Sequence, residues 1–261
     1  MLSAFVSAQD TRLVTVDNIK LEYIDIGAGD YTLLVESGVG MGVGYWQPLL
    51  ADLAKLNVRT IVYSRAGNGQ SGSVDDISLQ ASNNRLAQLL KIIKADDNKL
   101  ILLGHSFGAL HVRTFAGSHP EKVAGIVLLD PSHEGFHNAL SALDKDWADR
   151  DNSRLNKMLQ QQPEWQQLQQ LYHRNAVADS DFTQELPAVL VTSSRLNESN
   201  WWIGHSPQGK KVWRQLHASL IDKNPNAVHF VTDKSGHNVP LDDKALTLKA
   251  IDTMLLMLSA G

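Results

Sequence analysis

The chain contains no cysteine, and its charges carry no positive excess. The absence of cysteine excludes both a disulfide framework and a thiolate metal site. The 24 basic and 28 acidic residues leave a formal net charge of −4, so no basic field favours nucleic acid as a partner. No apolar run approaches the roughly 18 residues that indicate a membrane-spanning helix. We therefore expect a protein that binds no nucleic acid and has no integral membrane span.

The length of 261 residues, of which 43% are hydrophobic, suffices for one sizeable domain with room for an insertion. Residues 1–8 (MLSAFVSA) are small and apolar, and their last three resemble a signal-peptidase cleavage site. A signal peptide also needs a basic first segment and a longer apolar core, and both are missing. We expect a cytoplasmic protein by default, and an exported one if residues 1–8 are the tail of a truncated signal peptide.

Residues 99–118 (KLILLGHSFGALHVRTFAGS) carry the clearest chemical pattern in the chain. The apolar run at 100–103 predicts a buried strand, and the apolar residues after position 108 recur at helical spacing. Between them, GHSFG (residues 104–108) fits the pattern G-x-S-x-G. The letters alone would arise by chance in about one chain in ten of this length, as an ordinary glycine-rich turn. The order strand, turn, helix favours instead a nucleophile, Ser106, on a strained turn.

In this context the chain resembles proteins of the α/β-hydrolase fold, in their esterase- and lipase-like branch, over about residues 13–258. The resemblance implies an α/β fold with a mostly parallel central sheet flanked by helices. It also implies a hydrolase core at residues 10–135 and 186–261. A serine at the nucleophile position disfavours the epoxide-hydrolase and dehalogenase branches, in which that position holds an aspartate.

Two glycine-rich loops extend the resemblance. Residues 36–44 (ESGVGMGVG) stand where the family has His-Gly-x-Gly, with Ser37 in the usual His place. The resemblance assigns one oxyanion-hole N–H to Val39, and the helix start suggests Phe107 N–H as the other. A phosphate-binding loop is excluded because no Lys-Ser/Thr pair follows, whereas a plain flexible loop stays open. Residues 64–72 (SRAGNGQSG) are similar to the family's D-x-x-G-x-G-x-S loop, and we assign them a structural role beside the site.

The candidate acid and base follow two later strand patterns. Asp130 directly follows the apolar run at 123–129, and the carboxyl end of a parallel strand faces the same crevice as the nucleophile turn. An aspartate before proline is also a common turn start. After the last strand pattern, the pair Gly-His matches the family's base, His237. The order Ser106, Asp130, His237 is the one expected of this fold, with His237 as base and Asp130 orienting its ring.

Rivals exist for both of these assignments. Many members of the family carry the acid after the next strand, where this chain has Leu-Asn and then Glu198, one or two residues late. We favour Asp130 over Glu198. His133 is the nearest rival base because it lies close to Asp130 in sequence, and His105 is expected to brace the turn.

Residues 136–185 depart from the alternation of strands and helices. The segment is polar and rich in glutamine, with apolar residues at helical intervals. We interpret it as a helical lid inserted between two core strands. We expect this lid to control which acyl-chain lengths reach the site. Trp147, Trp165 and Tyr172 are expected to form the core of the lid rather than to contact substrate.

Taken together, these patterns predict a serine hydrolase that cleaves a small or medium carboxylic ester through an acyl-enzyme on Ser106. A serine needs a base within hydrogen-bond reach and a third group that orients the base. We expect a small-molecule ester as partner and no metal or cofactor, and the oligomeric state is open. The alternatives are an acyltransferase, a lactone or C–C bond hydrolase with the same residues, or a non-catalytic ligand receptor on a hydrolase scaffold.

Overall fold

The structure of the protein is a computed structural model, which describes residues 11–177, 186–196 and 201–259. Within these residues, one eight-stranded sheet has the order β1-β2-β4-β3-β5-β6-β7-β8. The pairs β1/β2 and β2/β4 are antiparallel and the others are parallel, so the predicted α/β class is confirmed. The strands are β1 (Arg12–Val16), β2 (Ile19–Ile26), β3 (Tyr31–Glu36), β4 (Arg59–Tyr63), β5 (Lys99–His105), β6 (Val123–Leu129), β7 (Ala188–Ser193) and β8 (Ala227–Thr232).

Helices flank the sheet on both faces and cover its carboxyl end. In chain order they are α1 (Val43–Trp46), α2 (Leu50–Leu53), α3 (Leu79–Ile92), α4 (Gly108–Ser118), α5 (Phe136–Leu143), α6 (Lys145–Met158), α7 (Pro163–Arg174), α8 (Pro207–Ser219), α9 (Val239–Asp242) and α10 (Lys244–Ser259). Within the described ranges, no helix is long and apolar enough to cross a lipid bilayer.

The central strands are buried on both faces, which explains their continuous apolar runs. In β5, Leu100 and Leu102 pack against α3 and α4 on one face, whereas Ile101 and Leu103 pack against α1, α2 and α10 on the other. Alternate side chains of a strand point to opposite faces, so a strand covered on both sides needs apolar residues at every position. Each buried leucine contributes about 1.5–3 kcal/mol to folding.

Two helices expected from the sequence are each divided in two. The apolar spacing of residues 46–56 predicts one helix, but a 3₁₀ turn at Gln47–Leu49, where Pro48 removes a backbone donor, divides it. The apolar spacing of residues 241–258 also predicts one helix, but it is divided at Asp243, whose backbone is not helical and whose Oδ1 accepts a hydrogen bond from the N–H of Leu246. Asp243 therefore acts as the N-cap of α10.

Three helices, α5, α6 and α7, lie between β6 and β7, and we call residues 136–177 the helical insertion. The helical character expected for 136–185 is thus found as far as Arg174. The last part of that range, 178–185, lies outside the described residues.

Candidate active site

Ser106 occupies a sharp turn between β5 and α4. Its φ of 55° lies in the left-handed region, which is strained for a residue with a side chain. The two motif glycines make the turn possible. A Cβ on Gly104 would lie 2.7 Å from the Cα of Ala109, and one on Gly108 would lie 2.5 Å from the carbonyl oxygen of Glu36. At Gly104, β5 and α4 therefore approach each other more closely than any other residue type would allow, and at Gly108 the same holds for α4 and the end of β3.

The structure brings Ser106, His237 and Asp130 into one hydrogen-bonded chain. His237 Nε2 lies 2.8 Å from Ser106 Oγ, and His237 Nδ1 lies 2.7 Å from Asp130 Oδ2. An ionised carboxylate only accepts hydrogen bonds, so Nδ1 carries the proton and Nε2 is free to accept one from the serine hydroxyl. This is the tautomer that a general base beside a serine requires.

The Asp130 carboxylate is fully buried and closely held. Its Oδ1 accepts hydrogen bonds from the Ser193 N–H (2.7 Å) and the Trp213 indole N–H (2.8 Å), and its Oδ2 accepts one from Ser193 Oγ (2.9 Å). Burial on its own raises the pKa of Asp130. The hydrogen bond and charge of His237, with the nearby Lys210, outweigh burial and hold that pKa below its usual range. The carboxylate therefore stays ionised.

His105 braces the loop that carries His237. Its Nε2 donates a hydrogen bond to the carbonyl oxygen of His237 at 2.8 Å. Burial lowers the pKa of His105 to about 3, so the ring is neutral. The sequence predicts that His105 braces the serine turn; the observed contact instead joins the end of β5, next to Ser106, to the loop that carries His237.

The glycine-rich loop at residues 36–44, which we call the Val39 loop, lies directly beside Ser106. A Cβ on Gly38 would lie 3.4 Å from the Cβ of Ser106, which places the Gly38–Val39 peptide against the serine. Ser37, in the usual His place, accepts a hydrogen bond from the Trp46 indole N–H at 2.9 Å and ties the loop to α1. Phe107 is buried at the start of α4, where backbone N–H groups have no partner within the helix. Both expected donors are thus next to the serine.

A cavity of about 390 Å³ opens above Ser106 and His237. Its volume lies within the range of about 300–1,000 Å³ typical of small-molecule sites. Among the described residues that line it, none is Asp, Glu, Lys or Arg. The aromatic part of the lining is Phe136, Trp165, Tyr172, Trp201, Trp202 and Trp213. The cavity therefore fits an uncharged, largely apolar group.

Comparison with known proteins decides the family. The model of the α/β hydrolase fold family matches residues 31–212. The chain belongs to this family. Protein YqjL of Bacillus subtilis (strain 168), itself uncharacterized, is 24% identical over 230 residues, which cover 86% of this chain and 83% of YqjL.

Two further similar proteins are named as hydrolases. The 2-hydroxy-6-oxononadienedioate/2-hydroxy-6-oxononatrienedioate hydrolase 1 of Pseudomonas putida is 29% identical over 132 residues, 49% of this chain and 44% of that protein. A solved serine hydrolase involved in carbazole degradation, the CarC enzyme, has a TM-score of 0.64 and 18% identity, covering 95% of this chain and 98% of that chain. The second likeness shows the fold alone. This chain is a hydrolase of the α/β fold.

His133 was considered as a rival base and Glu198 as a rival acid. His133 accepts a hydrogen bond from the Gly135 N–H at 3.0 Å and so serves its own turn. Glu198 lies outside the described residues. Trp147, Trp165 and Tyr172 pack in hydrophobic clusters with other residues of the helical insertion, as expected, and Trp165 and Tyr172 also line the cavity. A helix packed over a cavity presents its apolar face to the core and to the cavity at once.

Sequence reasoning missed several residues that surround Asp130 and the cavity. Ser193 and Trp213 hold the carboxylate, and Lys210 Nζ in turn donates to Ser193 Oγ at 2.8 Å. Trp201 and Trp202 belong to the cavity wall of this hydrolase. Two adjacent tryptophans outside any predicted helix or strand were a signal, since exposed loops seldom contain them. Nothing in the sequence singles out Ser193 or Lys210.

Proposed function

We propose that this hydrolase cleaves a small or medium carboxylic ester through an acyl-enzyme on Ser106. The observation that carries the proposal is the hydrogen-bonded chain Ser106–His237–Asp130 at the floor of an uncharged, aromatic cavity. Serine is a poor nucleophile unless a base takes its proton during attack, and this arrangement supplies the base and its orienting carboxylate.

The proposed reaction has two halves. Ser106 Oγ attacks the ester carbonyl carbon as its proton moves to His237 Nε2, and the Val39 and Phe107 N–H groups bind the resulting oxyanion. One such donor contributes about 2.7–4 kcal/mol to transition-state stabilisation. The carbonyl then reforms, the C–O bond breaks, and the alcohol leaves with the proton from His237. Water repeats the sequence on the acyl-enzyme and releases the acid. This chemistry calls for no metal or cofactor.

The cavity favours a neutral ester over a charged substrate. The P. putida relative is named as a hydrolase of a dicarboxylate that contains no ester. Hydrolysis of a C–C bond in a substrate of this kind is therefore a second candidate reaction. Recognition of a carboxylate normally uses Arg or Lys, and the described lining holds neither. An uncharged acyl group instead packs against the aromatic walls without leaving a charge unpaired. We therefore rank ester cleavage first.

Labelling with a fluorophosphonate, followed by mass spectrometry, tests the proposal. We expect the adduct on Ser106, and a burst of p-nitrophenol from p-nitrophenyl esters that equals the concentration of labelled sites. Ser106→Ala should abolish both, whereas Ser118→Ala, at the far end of α4, should change neither. A protein that binds such esters without a burst is a ligand receptor, and an adduct on another serine refutes the assignment.

A further inference from the structure

Three charged side chains are buried beneath the Val39 loop, and the function proposed above leaves them unused. Arg65, Glu36 and Glu164 are only 3%, 0% and 5% exposed. Arg65 forms a two-pronged pair with Glu164, with Nε–Oε1 at 2.6 Å and Nη2–Oε2 at 2.8 Å, and its Nη1 donates to Glu36 Oε2 at 2.6 Å. Glu164 belongs to α7 of the helical insertion, whereas its two partners belong to the core.

Arg65 and Glu164 also hold the backbone of the Val39 loop. Arg65 Nη2 donates to the carbonyl oxygen of Gly38 at 2.9 Å, and Nη1 donates to that of Ser37 at 2.8 Å. Glu164 Oε2 accepts a hydrogen bond from the Gly40 N–H at 2.8 Å. The peptides on either side of Val39 are therefore fixed by one ion pair.

The contact to Gly38 bears directly on the Val39 N–H. The Gly38 carbonyl and the Val39 N–H belong to one planar trans peptide, in which they point in opposite directions. A hydrogen bond to the carbonyl therefore sets the direction of the N–H and also polarises it. The Arg65 guanidinium also lies 5.5 Å from the centre of the Phe107 ring, beside the other expected oxyanion donor.

Glu164 is placed to keep this arrangement charged and rigid. It lies in the first turn of α7, where the helix dipole favours a carboxylate, and its Oε1 also accepts from Asn68 Nδ2 at 2.8 Å. Burial raises the pKa of Glu164, but the Arg65 charge and its hydrogen bonds outweigh burial and lower it. If the Arg65–Glu164 pair served only to attach the helical insertion to the core, it would not need hydrogen bonds to the backbone of Ser37, Gly38 and Gly40.

We infer that Glu164 and Arg65 are positioning residues that orient the Val39 N–H, so that docking of the helical insertion and completion of the oxyanion hole are a single event. The inference rests on the proposed function. It assigns to the insertion a part in the reaction, in addition to its part in shaping the cavity.

The variant Glu164→Gln tests the inference, with Glu134→Gln as the matched control. Glu134 also pairs with a buried arginine, Arg113, at 2.8 and 3.0 Å, but it does not contact the loop. We expect Glu164→Gln to lower kcat for p-nitrophenyl butyrate about 10- to 100-fold with little change in KM, short of the roughly 10²–10³ for complete loss of a donor. Rates are divided by the number of sites titrated in the burst, which removes any effect of unfolded protein.

A second readout separates positioning from structural support. A trifluoromethyl ketone forms a tetrahedral adduct whose oxygen occupies the oxyanion hole, so its affinity should weaken by the same factor as kcat/KM. Glu164→Asp keeps the charge but is one methylene too short to reach both Gly40 and Arg65, and it should give an intermediate loss. Should Glu164→Gln fail to fold, Glu164→Asp carries the test.

The outcomes distinguish this inference from the proposed function. If kcat per titrated site for Glu164→Gln stays within twofold of that for Glu134→Gln, the inference is overturned while the proposed function stands. If the wild-type protein shows neither burst nor Ser106 label, the proposed function fails. Amide hydrogen exchange at Val39 and Gly40 then tests whether Glu164 holds the backbone of the loop. The inference requires faster exchange at these two amides in Glu164→Gln than in Glu134→Gln.

Discussion

Replacing Asp130 by Asn should remove the function of His237 while leaving the fold in place. The surroundings of Asp130 dictate how the new amide must lie. Oδ1 accepts from the Ser193 N–H and the Trp213 indole N–H, which can only donate, so the amide oxygen must take that position. The NH₂ group then faces His237 Nδ1 in place of Oδ2. A donor there forces Nδ1 to accept, and the ring proton moves to Nε2.

With its proton on Nε2, His237 can no longer accept the Ser106 proton. In a triad of this kind the same change lowers kcat by about 10⁴, which corresponds to about 5.4 kcal/mol in the activation barrier. The assay is steady-state hydrolysis of p-nitrophenyl butyrate, with unfolding in urea to verify the fold and ¹⁵N chemical shifts to identify the tautomer. Asp25→Asn serves as control, since Asp25 pairs with Arg59 on β2 and β4, far from the serine.

We expect the Asp25→Asn protein to keep wild-type kcat. An Asp130→Asn protein that is folded and retains more than a tenth of wild-type activity would refute the reasoning. The acid would then lie elsewhere, and Glu198 would be the next residue to replace.

Two further predictions concern pH and chain length. Burial lowers the pKa of His217 from 6.5 to about 3, so stability is full above pH 6.5 and falls as pH drops towards 3, because only the unfolded chain binds the proton. Urea unfolding at pH 7 and at pH 5 measures how much stability each variant loses on acidification. Because His217→Gln lacks the buried histidine, it should lose about 1–2 kcal/mol less than the control His173→Gln, which changes an exposed histidine. Equal losses in the two variants would contradict this prediction. Leu155→Trp, which fills the cavity from α6, should shift kcat/KM towards acetyl over decanoyl esters at least about tenfold, whereas Met158→Trp, on the exposed face of α6, should not.

Local features of this chain were readable because they depend on neighbours in sequence. The strand at Val123–Leu129 was located to the residue, since a continuous apolar run is bounded by a turn on one side and Asp-Pro on the other. The turn at Ser106 could be predicted because both of its glycines are needed where the backbone around the turn packs too closely for a side chain. The breaks at Pro48 and Asp243 were missed although both residues are common helix boundaries, because the apolar spacing on either side remained helical.

The environment of the candidate site was only partly readable. Asp130 and His237 were found by their places after strands, which the regular α/β order makes meaningful. The partners that hold Asp130 could not be found in this way. Ser193 and Trp213 lie 63 and 83 positions from it, and neither residue type is distinctive at its place in the chain.

The sequence by itself thus determined the α/β class, the strained serine turn and the order of the three candidate residues, because these depend on local backbone geometry and on the period of apolar residues. Only the tertiary structure decided that Glu164, 99 positions from Arg65, meets it beneath the Val39 loop. A charged residue on a polar helix reads as solvent-exposed in sequence, and its burial becomes tolerable only when the folded chain supplies the opposite charge and the hydrogen bonds that replace water.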